Sequence, residues 1–180
     1  TSNGSLEQRH RLVILTDMEN EPDDSQTMVK LLMYSNEIDI EGLVAVTSRW
    51  LQDQVFPESI VDRILAYGIV RSNLMRHADG WPDPQLLLDR TGGGQTGFGM
   101  EAVGEGRSTR GSRLIVEAVD RPDPRPVWVA INAGANTLAQ ALRDVRASRS
   151  PEQVARFVSK LRVYDDSGQD DAGAWICHEF

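Results

Sequence analysis

Leu12-Val13-Ile14-Leu15-Thr16-Asp17-Met18-Glu19-Asn20-Glu21-Pro22-Asp23-Asp24 is the stretch from which the rest of the chain can be read. Its unbroken apolar run is the pattern of a strand buried on both faces, whereas a surface strand alternates. Five carboxylates then crowd into eight residues: Asp17, Glu19, Glu21, Asp23 and Asp24. Helical spacing follows, with Met28, Leu31 and Leu32 on one face and Asp23 or Asp24 near the helix N-terminus, where the dipole favours anions. Gly42 to Thr47 reads as the next buried strand. Strand, helix and strand within about forty residues predict a βαβ unit with a right-handed crossover.

Outward from that unit the alternation continues. Pro57 to Val70 carries Ile60, Ile64, Leu65 and Ile69 at helical spacing, and Leu114, Ile115, Ala118 and Val119 make a helix that stops before Pro122. Val127 to Ile131 reads as a third strand, with Trp128 inside it as a core residue. A helix bearing Leu138, Ala141, Leu142 and Val145 comes next. Another helix opens at about Pro151 and leads into a fourth strand, Leu161 to Tyr164. Residues 71–110 are read as loop, including Trp81-Pro82-Asp83-Pro84 and the glycine-rich stretch from Gly92 to Gly106. The expected fold class is α/β, an open and mainly parallel sheet with helices on both faces. Residues 1–10 read as a flexible arm, holding the glycosylation triplet Asn3-Gly4-Ser5, and residues 11–180 as the α/β domain. Asp165 to Asp171 is a second acidic loop at a strand's C-terminal end, where open α/β sheets bind ligands. Only nine residues follow it, too few for a covering helix on this reading, so the domain is expected to be incomplete at its C-terminus.

At 180 residues and 20.0 kDa the chain suits one compact domain. Twenty-seven acidic residues against 19 basic ones leave a net charge of −8, which argues against a nucleic-acid polymer as partner. No apolar run approaches the ~20 residues of a membrane-spanning helix. The single Cys177 excludes an intrachain disulfide and a cysteine-rich zinc site. Oligomeric state and compartment are open; a homo-oligomer is compatible with everything above.

Five carboxylates at one turn repel each other unless something positive sits among them. A hard cation with oxygen ligands answers that need, Ca²⁺ more readily than Mg²⁺ because it tolerates irregular cages. EF-hand spacing is absent: Pro22 stands where that loop needs Gly, and Met28 where it needs the bidentate Glu. Acidic residues also gather at helix starts as simple caps, and that alternative stays open. Gly92-x-Gly94-x-x-Gly97 has the string of a dinucleotide fingerprint, but no predicted strand precedes it and the next helix waits until about residue 110. It reads as a flexible loop over the site. His10, His77 and His178 lack metal spacing. His77 and Trp81, in the loop between two helices, are candidate substrate contacts, as is Trp50. There is no Gly-x-Ser-x-Gly elbow, and Asp17-Met18-Glu19 lacks the second Asp of an Asp-x-Asp-x-Thr phosphatase.

The pattern Asp17-x-Glu19-x-x-x-Asp23-Asp24 after a buried strand resembles the Asp-x-Asp-x-x-x-Asp-Asp fingerprint of the nucleoside hydrolases. The wider string Leu15 to Gln26 is similar to one branch of them, bacterial cellulose-binding proteins with an N-terminal nucleoside-hydrolase-like domain. Gly97-Phe98-Gly99-Met100, Gly104-Glu105-Gly106, Gly134-Ala135-Asn136-Thr137-Leu138-Ala139-Gln140-Ala141-Leu142 and Asp170-Asp171-Ala172-Gly173 also look like that branch. The resemblance spans roughly residues 11–180. It implies a hydrolase of N-glycosidic or related glycosidic bonds, in which Ca²⁺ activates a water. By position, Glu19 would be the catalytic base and a metal ligand, and Asp24 the main metal ligand. Asp23 would touch both metal-bound water and a sugar hydroxyl, Asn136 would offer a backbone carbonyl to the metal, and Asp17 would support the loop. A secreted or periplasmic location is also implied.

This sequence departs from the hydrolase pattern in Glu19, one methylene longer than Asp. It departs again in Thr47-Ser48-Arg49-Trp50, which stands where the hydrolases carry Gly-Asn. The last calcium-binding Asp of the hydrolases has no counterpart in the chain. These differences suit the alternative of a non-catalytic carbohydrate-binding (cellulose-binding) protein that retains the hydrolase fold. A small molecule or a carbohydrate is the expected partner on either reading.

Overall fold

The computed structural model describes residues 9–180, so residues 1–8, with the Asn3-Gly4-Ser5 triplet, lie outside the described residues. Five parallel strands form one sheet in the order β3-β2-β1-β4-β5. They are β1 (His10–Thr16), β2 (Ile38–Ala45), β3 (Thr91–Gly93), β4 (Val127–Ile131) and β5 (Leu161–Asp165). Seven helices connect them: α1 (Pro22–Leu32), α2 (Pro57–Leu74), α3 (Pro84–Asp89), α4 (Arg110–Asp120), α5 (Asn136–Ser148), α6 (Pro151–Ser159) and α7 (Ala172–Glu179). β1 begins at His10, the last position read as arm.

The two faces are covered by different helices. Ile14, Ile40 and Leu43 pack with Met28 and Leu32 of α1, Ile60 and Ile64 of α2, and Leu87 of α3. On the other face Val13, Leu15, Val44, Val127 and Val129 pack with Ile115 of α4 and Leu138 and Leu142 of α5. Strand order runs outward from β1 in one direction to β3, then in the other to β5. The reversal leaves a crevice at the C-terminal ends of β1 and β4, the place where doubly wound sheets bind ligands.

Three elements escape the sequence reading. β3 is Thr-Gly-Gly and has no apolar pattern to detect. It exists because α4 comes down on it: a Cβ on Gly111 would stand 2.4 Å from Val44 Cγ1 and 2.9 Å from the Gly93 carbonyl. α3 is six residues long and starts with Pro84 after the Asp83 cap. α7 forms after the second acidic loop, although it leaves most of the last strand, β5, uncovered, as expected. It packs Trp175, Ile176 and Phe180 onto the α4–α5 layer, with the Arg146 guanidinium 5.3 Å from the Trp175 ring and 5.0 Å from the Phe180 ring.

Trp128 is also misplaced by the sequence reading. It is 40 % exposed, because its side of the sheet is covered only over β1 to β3 and lies open at β4 and β5. Val127, Val129 and Ile131 of the same strand face the opposite, covered side.

At the N-terminal ends of the strands a bulge at Glu41 interrupts the β1–β2 register between Leu12 and Val13. Glu41 accepts from the buried Arg11 guanidinium at 2.8 Å and pairs with Arg121 at 3.0 Å. The charges are neutralised inside the protein, as burial requires.

Candidate functional site

Asp17 is the first residue beyond β1 and is buried; its carbonyl accepts from Asn20 at 3.2 Å, closing the turn. Pro22 then starts α1, whose first turn carries Asp23 and Asp24. Asp23 is exposed, whereas Asp24 leans back onto the strand end, where the Thr16 hydroxyl donates to its carboxylate. Burial pushes the Asp24 carboxyl up to about 6; the Thr16 bond pulls against this, and the adjacent Asp17 and Asp23 charges add to it. Burial and the neighbouring Asp17 and Asp23 charges thus make the ionised Asp24 carboxylate costly where it stands.

Glu19 goes elsewhere. It adopts φ 72°, the only non-glycine residue among those described with a positive φ. Its carboxylate accepts from the Ser59 hydroxyl at 2.6 Å and pairs with Arg63 at 3.4 Å, both on α2. Arg63 also donates to Ser25 of α1 at 3.0 Å. Among the described residues no three His, Cys, Asp or Glu side chains converge as a metal-holding group. The acidic turn therefore divides into an inner pair, Asp17 with Asp24, and an outer Glu19 held by α2.

Asn136 lies on the β4 side of the crevice and is fully buried. The loop before it is stitched to the central strands, with Asn132 N–H donating to Leu15 and Gly134 N–H to Thr47, both at 2.9 Å. The Asn136 amide donates to the Gly97 carbonyl at 2.8 Å and to the Thr47 hydroxyl at 3.3 Å, which braces the glycine-rich loop. Its backbone N–H donates to Asp170 at 3.1 Å.

Asp170 and Asp171 are functional-looking residues to which the sequence reading assigned no role. The Asp170 carboxyl is raised by burial, while N–H donors from Ala135, Ala172 and Asn136 hold it down. It thus ties the start of α5 to the start of α7. Asp171 accepts from Met100 N–H at 2.8 Å, and Gly99, at φ 58°, leaves room for it: a Cβ there would meet Asp171 Oδ1 at 2.4 Å. Their signal in the sequence was the acidic loop at the end of a strand.

The glycine string also has a structural explanation. A Cβ on Gly94 would stand 2.1 Å from Thr137 Oγ1, and one on Gly92 2.5 Å from Arg110. These glycines let the loop lie against α4 and α5. Outside the loop is a cavity of about 780 Å³, lined by Gln52, Thr96, Phe98, Arg107 and Asp171 among others. A separate depression of about 510 Å³ lies beside Glu19 and Arg63.

His77 and Trp81 are not part of this edge. α2 begins beside Glu19 and ends near the opposite edge, where Arg9, immediately before β1, reaches the Gly80 carbonyl at 3.4 Å. His77 is exposed there, and Trp81 packs into the α1–α3 layer. The direction of α2 sets both apart from the acidic turn. Trp50, by contrast, is on the β2–α2 loop at the C-terminal edge of the sheet and is 69 % exposed, with the Arg49 guanidinium 5.5 Å from its ring.

A doubly wound sheet with an acidic turn after its first strand and a glycine-rich loop beside its switch point defines a nucleoside-hydrolase-like domain. The chain belongs to the cellulose-binding Sde182, nucleoside hydrolase-like domain family, which it matches over residues 11–180. It is similar to a solved nucleoside hydrolase-related hypothetical protein from Saccharophagus degradans that is associated with carbohydrate metabolism. The two share 46 % sequence identity and superpose with a TM-score of 0.92 over 96 % of this chain. This chain spans 42 % of that protein's length. Among curated proteins nothing matches it.

Proposed function

We propose that this domain binds carbohydrate at the C-terminal ends of its strands, on a hydrolase scaffold whose base has been diverted. The observation that carries the reading is Glu19: its carboxylate is engaged by Ser59 and Arg63 on α2, apart from the Asp17–Asp24 pair. A general base must reach the water it activates, and misplacement by ~1 Å can cost ~10²-fold in rate. The family's description as cellulose-binding supports the same reading. The test is retention of the intact protein on cellulose together with a sugar-release assay on nucleosides and oligosaccharides. Retention without release is expected; release that depends on Glu19 would refute the proposal.

A second reading, hydrolysis of N-glycosidic bonds, draws on the inner pair. Asp17 and Asp24 are neighbouring hard oxygen donors, two of the roughly six or more that Ca²⁺ takes, so backbone carbonyls and water would have to complete the set. Bound there, the ion would supply Lewis acidity to water and positive charge to sugar hydroxyls. Asp24 and Asp17 would hold it, Asp23 would face the ligand from the first turn of α1, and Asn136 would support the opposite wall. Glu19 would have to leave Ser59 to take part. Calcium-dependent release of ribose from a nucleoside panel, lost in Asp24→Asn, is the result that would favour this reading.

A further inference from the structure

The cavity outside the glycine-rich loop is separate from the acidic turn, and its lining is chemically distinctive. Its side-chain hydrogen-bonding groups are the amides of Gln52 and Gln95, the hydroxyls of Thr96 and Thr109, the carboxylates of Glu101 and Asp171 and the Arg107 guanidinium, with the Phe98 ring among them. Two acids against one base leave no positive excess to select a phosphate. Several of these groups have capacity left after their internal bonds. Asp171 accepts from Met100 through Oδ1, which leaves Oδ2 free, and Gln52 donates to the Arg49 carbonyl at 2.9 Å, which leaves its Oε1 free.

The cavity is also preformed. Gln95 donates to the Arg107 carbonyl at 2.7 Å and accepts from Thr109, fixing the loop at both ends. Gln140 braces Gly104 by donating to its carbonyl at 2.9 Å and accepting from its N–H at 2.8 Å. Two residues before Gln52, on the loop that brings Gln52 to the cavity, is the exposed Trp50 indole. A planar apolar face next to mixed donors and acceptors matches a pyranose ring, which has C–H faces and a rim of hydroxyls.

We infer that this cavity, together with Trp50 on the loop that supplies Gln52, is a second carbohydrate subsite that takes further sugar units of a neutral glycan chain whose other end lies at the acidic turn. The inference rests on the carbohydrate-binding reading and adds to it a position and a chain-length requirement. Arg49 holds the indole as a stacking platform, Phe98 supports a ring from inside, and Asp171 and Thr96 bond its hydroxyls. Neutral oligosaccharides are favoured over phosphorylated ones because Asp171 and Glu101 stand at the same cavity.

Calorimetric titration of the intact protein with cellobiose and cellohexaose tests this. Cellohexaose is expected to bind about tenfold or more tightly than cellobiose, since each added stacked and bonded ring contributes. Trp50→Ala, Phe98→Ala and Thr96→Ala should each remove most of that advantage and leave cellobiose affinity within about twofold. Trp50 and Thr96 are exposed, so those variants fold whatever happens to Phe98→Ala, and melting curves confirm it. An unchanged length advantage in Trp50→Ala and Thr96→Ala overturns the subsite and leaves the carbohydrate reading standing. Absence of binding to both sugars by the unaltered protein overturns that reading and the subsite with it.

Discussion

Ser59 donates its hydroxyl to the Glu19 carboxylate at 2.6 Å, and through that bond α2 decides where the acidic turn sends this carboxylate. Arg63, one helical turn further on, pairs with the same oxygen. The lateral pull of α2 separates Glu19 from Asp24, although the two are five positions apart in the chain.

Glu19→Gln is therefore expected to change carbohydrate affinity by less than about twofold and to lower stability by roughly 1 kcal/mol, the worth of a partly exposed charge-assisted bond. Urea unfolding and oligosaccharide titration measure the two effects. A tenfold loss of affinity with unchanged stability would place Glu19 at the ligand instead.

Stability should fall as pH rises through the Asp24 transition. Burial and the Asp17 charge hold this carboxyl at about 6 in the folded protein, above its ordinary value of 3.8. Between those values the folded state binds more protons than the unfolded one. The contribution is therefore complete below pH 4 and lost as pH passes 6. Asp24→Asn should flatten that slope and raise the melting temperature of the metal-free protein at pH 8. Its benefit there is on the order of 1 kcal/mol, discounted for partial exposure. An unchanged slope in the variant would show that another group carries the transition.

Calcium is expected to compete with that proton. One-to-one binding at pH 8 should weaken below pH 6 and vanish in Asp17→Asn and Asp24→Asn, as read by calorimetry. Binding equally strong in both variants would move the ion to another place.

Asp170→Ala should cost about 2 kcal/mol, because it removes acceptors from the backbone donors at the starts of both α5 and α7. Asp170→Asn, which keeps one oxygen acceptor, should cost less. Urea denaturation of the two variants gives the comparison, and equal losses would argue for the charge over the bonds.

Gly111→Ala introduces a methyl 2.4 Å from Val44 and 2.9 Å from the Gly93 carbonyl, backbone that cannot move without displacing β3. A loss of at least ~2 kcal/mol is expected in thermal or urea unfolding. The same change at Gly106, which has nothing within 4 Å, should lose only about 1 kcal/mol, from its φ of 72°.

The parts of this protein legible in its sequence are those whose burial is two-sided or periodic. Leu12 to Leu15 and Val127 to Ile131 announce strands because central strands of a parallel sheet are apolar on both faces, and the helices between them show in their spacing. The acidic turn was legible as a candidate site because repulsion among five carboxylates is a local property of the chain. β3 was not, since two glycines carry no pattern and only Gly111 pressing from α4 explains them. Trp128 looked like core because a strand residue was assigned two covered faces, whereas helices lie over only part of one of them.

By itself the sequence determined the α/β alternation, the position of the acidic turn after the first strand and the family likeness, all of which follow from short-range order along the chain. The tertiary structure decided which of those acids lie together. Asp17 and Asp24 meet because α1 folds back onto the strand end, Glu19 is drawn off by Ser59 and Arg63, and Asp170 reaches the start of α5 from 34 residues away. His77 and Trp81 are carried to the far edge by the length of α2. Side-chain partnership is set by the direction in which each helix leaves the sheet, and that direction is fixed by packing between segments distant in sequence.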